Sequence, residues 1–277
     1  MRAGFGAVAA LWAVGFAAGA QGACVLEARW SPQAPYWVAQ PDPGPSGYLA
    51  EALRELARRR GCELRFVEMP WARGIAEMRA GRVDLMAGAV RTPEREAFAW
   101  FSRPMNRSPV VLVLRASVPQ TVRIPTLAAL AETTLSIGVQ PGAVYSAEYG
   151  RLLDDPRFAA RLHPVSRPKN AWKMLEEGRL DGLLTDEVSA ITAEAKSGGR
   201  LALRQALVVS TEPSRLMVGR HVGLDTAVAL DATLGAMIED GYLPRLRDAW
   251  IACTTDPATM GCAAAATPAK DAGPTRR

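Results

Sequence analysis

Four cysteines carry the most distinctive side-chain chemistry in this sequence: Cys24, Cys62, Cys253 and Cys262. Thiolates ligate soft metals, act as nucleophiles or pair as disulfides, and their spacing and compartment decide among these. No CxxC occurs, and His163 and His221 stand alone in the sequence, so a zinc-type site is a poor reading. The number is even, and the N-terminus described next implies an oxidising compartment, so two disulfides are the default. Three pairings are open. Cys24–Cys62 and Cys253–Cys262 are the expected ones, because the first pair falls in two neighbouring predicted strands and the second closes a short C-terminal loop. The rival is lipidation of Cys24, which would leave Cys62 unpaired; Gln21 stands where such a signal usually has a branched aliphatic residue. No Ser-His-Asp arrangement, P-loop or dinucleotide-binding loop is present.

Export rests on the first twenty residues. Arg2 gives a short positive start, Phe5 to Phe16 is apolar, and Ala18-Gly19-Ala20 and Ala20-Gln21-Gly22 are small-x-small cleavage patterns. Residues 1–22 are therefore read as a signal peptide cut between Ala20 and Ala23, and the protein as periplasmic. The alternative, an uncleaved anchor, suits this short span less well. Beyond it, no run of about 18 apolar residues is free of charge.

The chain has 277 residues, 49% of them hydrophobic and 22% charged, enough to bury one large core or two ordinary ones. The formal charge is +5. Setting aside one charge at Arg2 and a net two among Lys270, Asp271, Arg276 and Arg277 leaves the body at +2. Arginines scattered among acids at near-neutral charge do not make a nucleic-acid-binding surface. Residues 263–277, rich in Ala, Pro, Lys and Gly, have little to bury and are expected to be a disordered tail.

The elements that must position any site follow from periodicity. Val25 to about Trp30, Cys62–Val67 and Val83–Val90 read as strands; Gly47–Arg60 and Trp71–Ala80 read as helices stopped by glycines. The Pro/Gly-rich Ser31–Ser46 reads as a loop, Thr92–Phe98 as a turn or short helix, and Phe101–Asn106 as loop. Val110–Leu114 is a buried strand. A second strand-helix series runs from Leu135 to Ala195, with a helix expected from about Val144. The chain returns through strands at Leu201–Val209 and Ser214–Val218 to helices at Leu224–Glu239 and Leu243–Trp250. Alternating strands and helices imply mostly parallel sheets flanked by helices. Two segments echo one another: MRAGRVDLMAGAV (Met78–Val90) and LEEGRLDGLLTDE (Leu175–Glu187). Each has a helix end, Gly-Arg, an aliphatic residue, Asp and an apolar strand. The echo suggests two similarly built lobes whose strand ends face one cleft.

Four stretches, in this order, resemble family 3 extracellular solute-binding proteins, the amino-acid-binding components of ABC transporters. They are GYLAEALRELARRRG (Gly47–Gly61), GRVDLMAGAVRTPEREAFAWFSRPM (Gly81–Met105), GRLDGLLTDEVSAI (Gly178–Ile191) and IEDGYLPRLRDAW (Ile238–Trp250). The resemblance implies a bilobed α/β venus-flytrap fold of the periplasmic-binding type II class. Lobe 1 would be discontinuous, 24–112 and 208–252, with lobe 2 at 113–207 and two crossing strands as hinge. It also implies a monomer that docks on an inner-membrane ABC permease, needs no cofactor and is not an enzyme. The alternatives are an exported dehydratase-like enzyme on the same scaffold, with Asp186 or Glu187 as general acid, and an accessory or sensory module.

By the same resemblance, Arg95 matches the arginine that grips a ligand carboxylate, a role its rigid two-pronged guanidinium suits. Thr92 adds a hydroxyl or N–H, and Ala89 and Val90 offer backbone groups. Asp186, at the end of a strand, matches the acid that binds the ligand ammonium; its structural rival is a helix N-cap. Trp71, Tyr36 and Trp37 are the expected cleft aromatics, and Arg73 a further charge near Trp71. Ala143 stands where many relatives carry Thr or Ser, so only backbone N–H groups remain there to meet an anion.

Overall fold

The computed structural model describes residues 24–41 and 44–251. The expected signal peptide, the Cys253–Cys262 pair and the 263–277 tail lie outside the described residues. Among those residues ten strands form two sheets. The first holds β1 (Val25–Trp30), β2 (Glu63–Glu68), β3 (Leu85–Ala89), β4 (Ala99–Asn106) and β10 (Ser214–Gly219). The second holds β5 (Val110–Arg115), β6 (Ile137–Val139), β7 (Leu162–Pro164), β8 (Gly182–Asp186) and β9 (Leu203–Ser210). The helices are α1 (Tyr48–Arg60), α2 (Trp71–Arg79), α3 (Pro93–Glu96), α4 (Ala147–Leu152), α5 (Pro156–Ala159), α6 (Pro168–Glu176), α7 (Glu187–Lys196), α8 (Leu224–Glu239) and α9 (Tyr242–Ile251).

The sheet orders are β2-β1-β3-β10-β4 and β7-β6-β8-β5-β9, the same pattern twice. In each, three strands run parallel and the next runs against both its neighbours. The sheets are thus mixed, not mostly parallel as strand-helix alternation suggests. The reason lies in the crossings at 107–109 and 211–213. The parallel strands end at the cleft, and a strand that enters its sheet from the cleft, as β5 and β10 do, must run away from it. A second correction concerns Phe101–Asn106, expected as loop: it belongs to β4, paired antiparallel with β10. Pro104 hides the strand in the sequence, yet β4 is an edge strand, where the missing N–H does no harm.

The cores follow from pattern. Helix α1 buries Leu49, Ala52, Leu53, Leu56 and Ala57 at three-four spacing, and Gly61 ends it at φ 65°. That face joins Leu230, Leu234 and Met237 of α8 on the first sheet. In the second lobe Leu112, Leu114 and Ile137 pack with Leu127, Leu130 and Phe158. The echoed aspartates do one job in both lobes. Asp84 accepts the Glu27 N–H at 2.7 Å, and Asp181 accepts the Ser136 N–H at 2.9 Å. Each carboxylate fastens the start of its own strand beside the neighbouring one. Cys24 and Cys62 are joined by a disulfide, Sγ–Sγ 2.01 Å, ahead of β1 and β2.

Candidate functional site

A cavity of about 180 Å³ opens where the parallel strands of both sheets end. The first lobe contributes Arg29, Tyr36, Trp71 and Arg95, and the second Ala143 and Asp186. Trp37 and Val90 also line it.

Arg95 sits in α3, one turn long, held by Thr92 as N-cap: Thr92 Oγ1 accepts the Arg95 N–H at 3.3 Å. The guanidinium is buried, with the residue only 5% exposed. Its Nη1 donates to the Val90 carbonyl at 2.8 Å, and its Nη2 crosses the cleft to the Gly142 carbonyl at 2.9 Å. Trp71 Nε1 donates to that same carbonyl at 3.1 Å. Arg95 makes no ion pair among the described residues. Burial pulls its pKa down to about 10, Glu94 opposing, so it is still a cation at neutral pH.

Asp186 faces it from the second lobe. It ends β8 and caps α7, accepting the Ser189 N–H on Oδ1 at 2.9 Å. First-lobe groups reach the same carboxylate: Tyr36 Oη donates to Oδ1 at 2.9 Å and Gln33 Nε2 to Oδ2 at 3.2 Å. Ser108 Oγ lies 3.5 Å from Oδ1. Burial first, then the charge of Asp186, pushes the Tyr36 phenol well above its usual range, which keeps it a donor. Asp186 is therefore N-cap and cross-cleft acceptor together. The neighbouring Glu187 has its carboxyl pushed up by burial and by Asp186, but does not line the cavity.

Tyr36 and Trp37 are set by the start of α1. That helix has no side-chain cap; the Pro35 and Tyr36 carbonyls accept the Tyr48 and Leu49 N–H groups, both at 3.1 Å. The approach requires Gly47: at φ 107°, a Cβ there would stand 2.5 Å from the Tyr36 oxygen.

Three expected residues do not line the cavity. The Thr92 hydroxyl is used by the cap. Ala89 points into a cluster with Met86 and Met217, while Gly88 and Val90 turn to the cavity. Arg73 lies two residues past Trp71, on the other side of α2, exposed and 3.5 Å from Glu77. Ala143 lines the cavity but from a turn, not a helix start. Helix α4 begins only at Ala147, capped by Ser146, because Tyr145 turns inward and its hydroxyl accepts the Gln140 N–H at 2.7 Å. Sequence reasoning missed Arg29, Gln33 and Asn106, all on the cavity. Arg29 had one signal, a lone cation inside an apolar strand. No group of three or more His, Cys, Asp or Glu among the described residues is placed to hold a metal ion.

The family described as bacterial extracellular solute-binding proteins, family 3, matches residues 29–252. The chain is 23% identical over 205 residues to the L-cystine-binding protein TcyA of Bacillus subtilis (strain 168), covering 74% of this chain and 72% of that one. Its fold is similar to an arginine-binding protein of T. maritima, with TM-score 0.70, 22% identity, and 82% and 95% of the two chains covered. It is also similar to an ancestral amino-acid-binding protein, a precursor of cyclohexadienyl dehydratase, with TM-score 0.66, 19% identity, and 82% and 95% covered.

Proposed function

The chain belongs to the bacterial extracellular solute-binding proteins of family 3, and on that premise we propose that it captures a small carboxylate-bearing solute, an amino acid or a close relative, for an ABC importer. The observation that carries this reading is the buried Arg95 guanidinium, which pairs with no acid among the described residues, on a cavity that both lobes line. Arg95 would hold the ligand carboxylate in two charge-assisted bonds. Asp186 would take the ligand ammonium, which replaces the donors Tyr36 and Gln33 now supply. A solute that bridges the lobes stabilises closure by the difference in its affinity for the closed and open forms. The segments 107–109 and 211–213 serve as the hinge, and the first 22 residues as the cleaved export signal. The loaded protein would then dock on the inner-membrane permease.

Asp186→Asn tests the ammonium contact without removing the N-cap, since Asn caps helices as well as Asp. Isothermal titration should show amino acids weakened by about tenfold or more, the scale of a charged hydrogen bond, while matched acids without the amino group change little. Equal losses for both series would refute the pairing.

A further inference from the structure

Resting on that reading, we propose that the solute carries a second acidic group, held by Arg29, so that the protein selects dicarboxylic over monocarboxylic or cationic solutes. Arg29 lies in β1, is 3% exposed and lines the same cavity as Arg95. Its Nε donates to the Met69 carbonyl at 2.9 Å and its Nη2 to Ser31 Oγ at 2.6 Å; Nη1 has no hydrogen-bond partner among the described residues. Both arginines lie over the Trp71 ring, Arg29 with its Cζ at 5.3 Å from the centroid and Arg95 at 5.6 Å. One indole thus contacts both buried cations, and neither makes an ion pair among the described residues.

The arrangement is built, not incidental. Gly74 of α2 leaves the room through which the Arg29 stem runs, for a Cβ there would stand 2.9 Å from Arg29 Cγ. Burial pulls Arg29 down to about 10, and Glu68 opposes this without forming an ion pair. Arg29 is buried as a residue, yet its Nη1 stays within reach of the cavity's solvent, so an anion that enters can take water's place there in a charge-assisted bond. The acids on the cavity do not supply it. The Asp186 oxygens already accept from Ser189, Tyr36 and Gln33. Glu212 is exposed. A cationic solute would add a third positive charge to this cavity, so the protein parts here from the arginine-binding structure whose fold it shares.

The test is calorimetric titration of the full chain, unfolded and refolded to strip bound solute. The probes are L-glutamate, L-aspartate, glutarate and succinate, each against its mono-amide (L-glutamine, L-asparagine, glutaramate, succinamate), with L-arginine as a further probe. At least one diacid should bind about tenfold or more tighter than its mono-amide. Arg29→Gln should erase that gap, weakening the diacid about tenfold or more beyond any loss for its mono-amide. Arg29→Lys, which keeps the charge, should restore part of the gap. Diacids that bind no tighter than their mono-amides, tighter binding of L-arginine, or equal losses for both series in Arg29→Gln would overturn the proposal. If Arg29→Gln does not fold, the wild-type comparison and Arg29→Lys decide. Failure of the underlying reading looks different: Arg95→Gln would then leave every acid and mono-amide unaffected.

Discussion

Replacing Arg95 with alanine is expected to cost about 2–5 kcal/mol of binding free energy for a carboxylate solute, a loss of roughly thirtyfold to several thousandfold. The magnitude follows from burial. At 5% exposure the guanidinium works where water does not compete for its N–H groups. Its posture is fixed by the Val90 and Gly142 carbonyls, so little side-chain freedom is lost on binding. Alanine also removes a cross-cleft bond, since Nη2 reaches Gly142 in the other lobe. Arg95→Lys should recover only part of the affinity, because an ammonium keeps the charge and loses the fork. Titration calorimetry on both variants, with melting curves to show that each is folded, makes the check; unchanged affinity in Arg95→Ala would remove the residue from its role.

The other large effect concerns stability. Replacing both Cys24 and Cys62 with serine should lower unfolding free energy by about 2–5 kcal/mol. The bond closes a loop with a sequence separation of 38 residues and ties the beginnings of β1 and β2. Strand β2 is an edge strand with none of its six residues fully buried, so packing alone holds it weakly. Urea unfolding of the wild type and the double variant reads this directly through the midpoint. Solute affinity measured well below the transition should stay the same, because the bond lies at the far end of β1 from Arg29. An unmoved midpoint would count against the contribution assigned to the bond.

Periodicity made the lobes legible because burial in each depends on local pattern. The three-four spacing of α1 and the echoed Gly-Arg-aliphatic-Asp segments marked real elements, and the echo has a cause in the matching roles of Asp84 and Asp181. Strand direction was not legible, since whether β5 and β10 run with or against their neighbours depends on where the chain crosses. Arg95, Asp186, Trp71, Tyr36 and Trp37 were reached through resemblance. Arg29 was not, because what buries it comes from elsewhere in the chain: Trp71, and the absent side chain of Gly74. Thr92 misled for the opposite reason, as a capping hydroxyl and a ligand-binding one have the same spacing from Arg95.

A buried cation, Arg95, is placed to select the solute by its carboxylate. The most direct measurement compares the tightest-binding amino acid from a thermal-shift screen with its own α-carboxamide, titrated against the refolded protein at neutral pH. The amide keeps size and shape and removes the charge that Arg95 is placed to meet. The amide should bind about tenfold or more weaker than the acid, and the difference should be much smaller in Arg95→Ala. Equal affinity for acid and amide in the wild-type protein would contradict that selection.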